Sequence, residues 1–136
     1  MIADPICDLI GANATIVAKV AKYNGVPAIF DFTPAPPNCP QPLITVEEDG
    51  GPWTGTRDTH GMRMRATINI WGNKTYSRAL LRDIATLTWE TIDRQHLTLT
   101  GLYCERGCWA HTPREMTDRD GFPGYTIPVD VLVHKD

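Results

Sequence analysis

Hydrophobic and polar residues alternate from Arg63 to Ile70 (RMRATINI). Met64, Ala66, Ile68 and Ile70 form one set, and Arg63, Arg65, Thr67 and Asn69 the other. A period of two places these sets on opposite sides of an extended strand. Trp71 follows, and Gly72-Asn73 end the strand because both tolerate turn geometry. Then the period changes. Leu80, Leu81, Ile84, Leu87, Thr88 and Ile92 recur every three or four residues, as one stripe of an amphipathic helix does, with Ser77 as its cap. Strand, turn and helix make one unit in which strand and stripe cover each other.

The rest of the chain is read as material built onto that unit. Asp4 as an N-cap followed by Pro5 predicts a helix start. Gly11 interrupts this helix and Asn13 caps a second segment, so residues 4–23 form a broken helix or two short ones, closed by Asn24-Gly25. Ala28 to Phe32 is a short β-prone run. Residues 33–42 (TPAPPNCPQP) carry five prolines and form an extended connector, since proline lacks an amide donor. Leu43 to Glu47 is a strand. Residues 49–61, with four glycines and a lone Trp53, form a long loop. Further on, Leu97 to Cys104 is strand-like, Gly101 marks a bulge, and Cys108 to His111 resumes or pairs with that strand. Pro113 to Gly124 reads as a polar connection. Tyr125 to Val133 is the last strand, and Pro128 inside it implies an edge position or an amide turned away from the ladder. The prediction is a single α+β domain over residues 1–136: a mostly antiparallel four- to five-stranded sheet with two helices packed on one face.

Composition narrows the function classes. A chain of 136 residues buries roughly two thirds of its unfolded surface, enough for one core without staples. A net charge of −3 gives no electrostatic support to sequence-specific nucleic-acid binding. Apolar runs fall short of the ~20 residues that span a bilayer, so no membrane partner is expected. MIADPIC carries no basic residue ahead of its apolar positions, which argues against a secretory signal and for a cytosolic chain. Cys7, Cys39, Cys104 and Cys108 are then expected to be free thiols.

Candidate chemistry is sparse. Cys104, Cys108 and His111 lie within eight residues, but the spare ligands His96, His60 and Cys39 form no second half-motif of a zinc site. A nucleophile elbow is missing, and the only serine is Ser77. Asp118 and Asp120 read as part of a solvated loop, and Gly50-Gly51 and Gly55 lack the strand-to-helix setting of a phosphate loop. The sequence points to no catalytic residues, no metal and no cofactor. What needs explaining is a surface. Arg63, Arg65, Thr67, Asn69 and Trp71 share one side of the central strand, and Asp130, Leu132 and His134 the equivalent side of the last. Two readings stand: a solvated sheet face, or a subunit interface. Trp53 either folds back on the domain or anchors a partner. The candidate interface set is Trp53, Arg57, Arg63, Arg65, Trp71, Asp118, Asp120 and Leu132.

The order AIFDF, proline-rich connector, PLITVEE, glycine-rich loop, RMRATINIWG, TYSRALLRDIATL and TDRDGFPGYTIPVDVLVHKD resembles the tail terminator, or tail-completion, proteins of long-tailed bacteriophages and related gene transfer agents. The resemblance lies in order and pattern across nearly the whole chain. It implies a subunit of a six-membered ring that caps the head-proximal end of the tail tube, stops tube polymerisation and docks the head or neck. The implied partners are other copies of the chain, the tube protein and a neck protein, with DNA passing through without sequence-specific binding. The implied location is the virion, after assembly in the host cytoplasm. A head-closure or head-tail joining protein is the alternative, and a small metal-dependent enzyme built on Cys104, Cys108 and His111 a more distant one.

Overall fold

The computed structural model describes residues 2–31, 35–36, 38–48, 61–72, 78–99, 102–104, 107–117 and 121–135. In chain order the elements are α1 (Ala3–Gly11), α2 (Ala14–Lys19), β1 (Lys22–Tyr23), β2 (Val26–Pro27), β3 (Ile29–Phe30), β4 (Leu43–Glu48), β5 (Gly61–Trp71), α3 (Arg78–Ile92), β6 (Leu102–Cys104), β7 (Trp109–Ala110), β8 (Arg114–Thr117) and β9 (Pro123–Lys135). β1 and β2 form a separate hairpin. Among the described residues, seven strands make the main sheet in the order β3-β4-β5-β9, and the outer flank of β9 is taken by β8, β7 and β6 in turn.

The α+β class is as expected, but the sheet is wider and mixed, with a third helix over it. β3 runs parallel to β4, Ile29 beside Ile44, whereas every other pairing is antiparallel. A parallel neighbour needs a long return, and residues 31–42 supply it.

The alternation from Arg63 to Ile70 becomes the centre of the sheet. Ala66, Ile68 and Ile70 are fully buried and Met64 nearly so. Their cross-strand neighbours on that face are Ile44 and Val46 of β4 and Tyr125, Ile127, Val129 and Val131 of β9. The helices cover this face with Ile2, Ile6, Ile10, Ile16, Leu81, Ile84, Ala85 and Ile92. Each large aliphatic side chain buried here contributes roughly 1.5–3 kcal/mol. In the predicted stripe of α3, Leu80 and Leu87 are only partly buried, and Ala85 takes a core position instead.

Pro128 lies inside a central strand, not an edge. Its carbonyl accepts the His111 amide at 2.8 Å, so its nitrogen faces the same flank. There β9 changes partner from β8 to β7, Thr126 pairing with Arg114 and Val129 with Ala110. The missing donor falls in that gap, which is why proline is tolerated.

Three further expectations are corrected. Asp4 does not cap α1. The helix begins at Ala3 with Ile2 as its N-cap, and the Glu48 carboxylate accepts the amides of Ile2 and Ala3, the latter at 2.9 Å. Burial raises the Glu48 carboxyl, but its hydrogen bonds, those amides among them, outweigh this and hold it below the usual range. Asn24-Gly25 does not close a helix but makes the two-residue turn between β1 and β2, both residues at positive φ, 52° and 83°. Such a turn matches the twist of the strands it joins. Residues 114–117 are a strand, not a connection. Glu115 lies opposite Tyr125 and accepts its hydroxyl at 3.2 Å. Of the Leu97 to Cys104 run, Leu102–Cys104 forms a strand of the sheet and Leu97 enters the core, whereas Thr100 and Gly101, the expected bulge, lie outside the described residues.

Asn13 caps α2 as expected, its Oδ1 accepting the amides of Thr15 and Ile16 at 3.0 and 3.2 Å. Its Nδ2 also donates to Thr91 Oγ1 on α3 at 2.8 Å. Asn13→Ala is expected to cost about 1–2 kcal/mol, read as a lower denaturant midpoint with the fold retained. An unchanged midpoint would show that neither bond contributes.

Candidate interface

The face of the sheet opposite the helices is the one the sequence leaves between a solvated surface and a subunit interface, and four of the candidate interface residues lie on it. Arg63 and Leu132 are cross-strand neighbours, Arg65 lies opposite Asp130, and Trp71 lies opposite Gly124. Trp71 stands eight residues along β5 from Arg63, so the four span the face without forming one cluster. Trp53, Arg57, Asp118 and Asp120 lie outside the described residues, as do His60 and Ser77. The face is not uniformly solvated. Leu43, Thr45 and Asn69 on it are buried, and the Thr45 hydroxyl has no hydrogen-bond partner among the described residues.

Around Asp130 the face carries a polar network that the sequence did not reveal. Arg65 Nε donates to Asp130 Oδ1, and His111 Nε2 meets Oδ2, each at 2.9 Å. Partial burial raises the Asp130 carboxyl, but the bonds and charges of Arg65 and His111 outweigh it and hold the group below the usual range. The His111 ring stacks on Trp109, centroids 5.9 Å apart and planes within 10°. Trp109 is 70% exposed. Tryptophan so exposed is the residue type that dominates binding energy at protein interfaces.

Beside Trp109 opens a groove of about 640 Å³, lined by Trp89, Asp93, Arg94, His96 and His111 among others. The backbone of Cys108 and Ala110 along it is already engaged. Trp89 Nε1 donates to the Ala110 carbonyl at 2.9 Å, and the Ala110 amide donates to Asp93 Oδ1 at 3.1 Å. The Cys108 amide and carbonyl pair with Gln95 O and Arg94 N. With those groups engaged, this flank of β7 is closed to an added strand, and the groove offers side chains for recognition instead. Trp89→Phe is expected to leave the Ala110 carbonyl without its donor and to cost about 2 kcal/mol. A denaturant melt checks this, and an unchanged midpoint would mean that solvent replaces the indole.

The metal alternative does not gather. Cys108 is buried with Ala110 on the helix-covered face, whereas His111 projects from the other side of the strand onto Asp130. The side chain of Cys104 lies outside the described residues. Among the described residues, no group of three or more His, Cys, Asp or Glu is placed to hold a metal ion.

One signal for this site was present in the sequence: Trp109 and His111 alternate with Cys108 and Ala110, which sorts aromatics to one face and small residues to the other. Asp130 and Arg65 could not be joined to them without the register.

No family model matches the chain, and no curated protein matches it in sequence. Among solved structures, a chain of the virion of native gene transfer agent (GTA) particle is similar to it, with a TM-score of 0.74 and 13% identity over 97% of this chain and 93% of that one. At that identity the likeness establishes a shared fold.

Proposed function

We propose that this protein is a structural subunit of a phage-like or gene-transfer-agent particle: the tail terminator, a ring at the head-proximal end of the tail tube. The observation that carries the reading is the end-to-end fold likeness to a chain of a gene transfer agent virion, 97% and 93% of the two lengths. A likeness covering both chains leaves little of either outside the shared domain. The sequence resemblance points to the same kind of particle independently. The exposed Trp109 and its groove supply a surface suited to a protein partner, and the divergence of Cys108 and His111 weighs against the metal-enzyme alternative.

A head-closure or head-tail joining protein remains the second reading, because it would come from the same kind of particle. Co-sedimentation separates the two. Binding to purified tail tubes, with polymerisation halted, is expected of a terminator; binding to portal-loaded heads but not to tubes would replace it with the neck role. Within the terminator role, Trp53→Ala is expected to leave the subunit folded and weaken its assembly. Unchanged assembly and tail length would remove the residue 49–61 loop from the interface.

A further inference from the structure

Among the described residues, Trp109 is the most exposed large apolar side chain, at 70%, and its indole N–H has no hydrogen-bond partner. The ring is nonetheless held in place. It stacks on His111, His111 is fastened to Asp130 at 2.9 Å, and Asp130 is fastened to Arg65. An exposed aromatic already fixed on one face loses little freedom when it binds, so its contacts count almost in full. We propose that Trp109 and the groove beside it bind a proline-rich segment of another protein, taken up in the polyproline II form. The site goes beyond the particle role and does not depend on the terminator reading.

The groove is built before any ligand arrives. Arg94 takes a left-handed conformation, φ 65°, and its amide donates to the Cys108 carbonyl at 2.6 Å. Gly107 packs so closely here that a Cβ would lie 2.4 Å from the Arg94 carbonyl oxygen. Trp89, the second indole of the lining, is fixed by its bond to the Ala110 carbonyl. The groove's volume of about 640 Å³ falls in the range of ligand sites.

What the groove leaves unmet selects its occupant. The outward amides and carbonyls of Cys108 and Ala110 are engaged, so a ligand strand finds no ladder to extend. Charge is matched within the protein: Arg94 Nε lies 4.0 Å from the Asp93 carboxylate, and Asp130 is met by Arg65 and His111. Nothing there calls for an acidic or a basic ligand. What the indoles offer is two ring surfaces and the free N–H of Trp109. The complement is a segment with apolar rings and carbonyl acceptors but few amide donors of its own. Polyproline II is such a segment: its carbonyls are bare, its prolines bring no N–H to bury, and its shape is set before binding. Grooves lined by aromatic side chains take proline-rich segments for these reasons.

The test uses the full chain and an oligoproline of about eight residues, ~25 Å long in the polyproline form, with a glycine–serine peptide of equal length as control. Oligoproline is expected to shift the Trp109 indole N–H resonance, assigned by its absence from Trp109→Phe, and the control to leave it unmoved. Trp109→Phe keeps a ring and removes the donor. Exposed as this position is, the variant is expected to keep the wild-type melting curve and to bind oligoproline about tenfold more weakly. Three results overturn the proposal: an indole resonance that oligoproline does not move, equal binding of the glycine–serine peptide, or wild-type affinity in Trp109→Phe. A fourth is self-association of wild type that Trp109→Phe abolishes and oligoproline does not disrupt, which would give the groove to a second copy of this chain. Tube and head binding judge the particle role separately, so either reading can fail alone.

Discussion

Ile68→Asp is expected to leave no folded protein. Ile68 is fully buried at the middle of β5, between Val46 on β4 and Ile127 on β9, and faces the helix layer. Among the described residues, no cation belongs to the buried set of that core. An unpaired carboxylate there costs several kcal/mol, a large share of the 5–15 kcal/mol that holds a domain of this size. Loss of the cooperative melt and of the far-UV sheet signal is the expected readout. A variant melting like wild type would mean that the faces of β5 are the reverse of those described.

Gly124→Ala is expected to be nearly as damaging, for a reason of shape. A Cβ on Gly124 would lie 2.6 Å from the Ile70 carbonyl oxygen and 2.8 Å from Trp71 Cε3. The indole can shift, but the carbonyl belongs to the β5–β9 ladder and cannot move without breaking it. Overpacking of this kind costs about 3 kcal/mol, and the strain falls where Trp71 rests on the open face. A clear drop in the denaturant midpoint, with altered tryptophan fluorescence, is expected. A midpoint within error of wild type would show that β9 has room to move away from β5.

How far the sequence could be read depended on whether a residue's role is set by near neighbours. The faces of β5 and β9 were legible because Met64 to Ile70 and Tyr125 to Val133 alternate with a period of two, and the buried set follows that period. Asn13 was legible as a cap because its partners, Thr15 and Ile16, are two and three residues away. α1 was not. Its first amides are satisfied by Glu48, more than forty residues on, so the nearby Asp4-Pro5 was a misleading signal. β8 escaped notice because Arg114 to Thr117 are mostly exposed and show no alternation of apolar with polar residues.

The candidate interface divides in the same way. Periodicity alone placed Arg63, Arg65, Trp71 and Leu132 on one face. It could not supply the Arg65–Asp130–His111 network, whose members come from β5, β9 and the residue that follows β7 and meet only through register. Nor could it show that Cys108 and His111, three residues apart, point to opposite sides of β7.

By itself, then, the sequence determined the α+β class, the strand–turn–helix unit at its centre, and the sides of β5 and β9 that would be buried, because each follows from a period carried by residues close along the chain. Only the tertiary structure decided the parallel β3, the tolerance of Pro128 in a central strand, the carboxylate cap on α1 and the groove beside Trp109. Each of these depends on residues far apart in the chain being brought together by the packing of the sheet, and no local pattern encodes that distance.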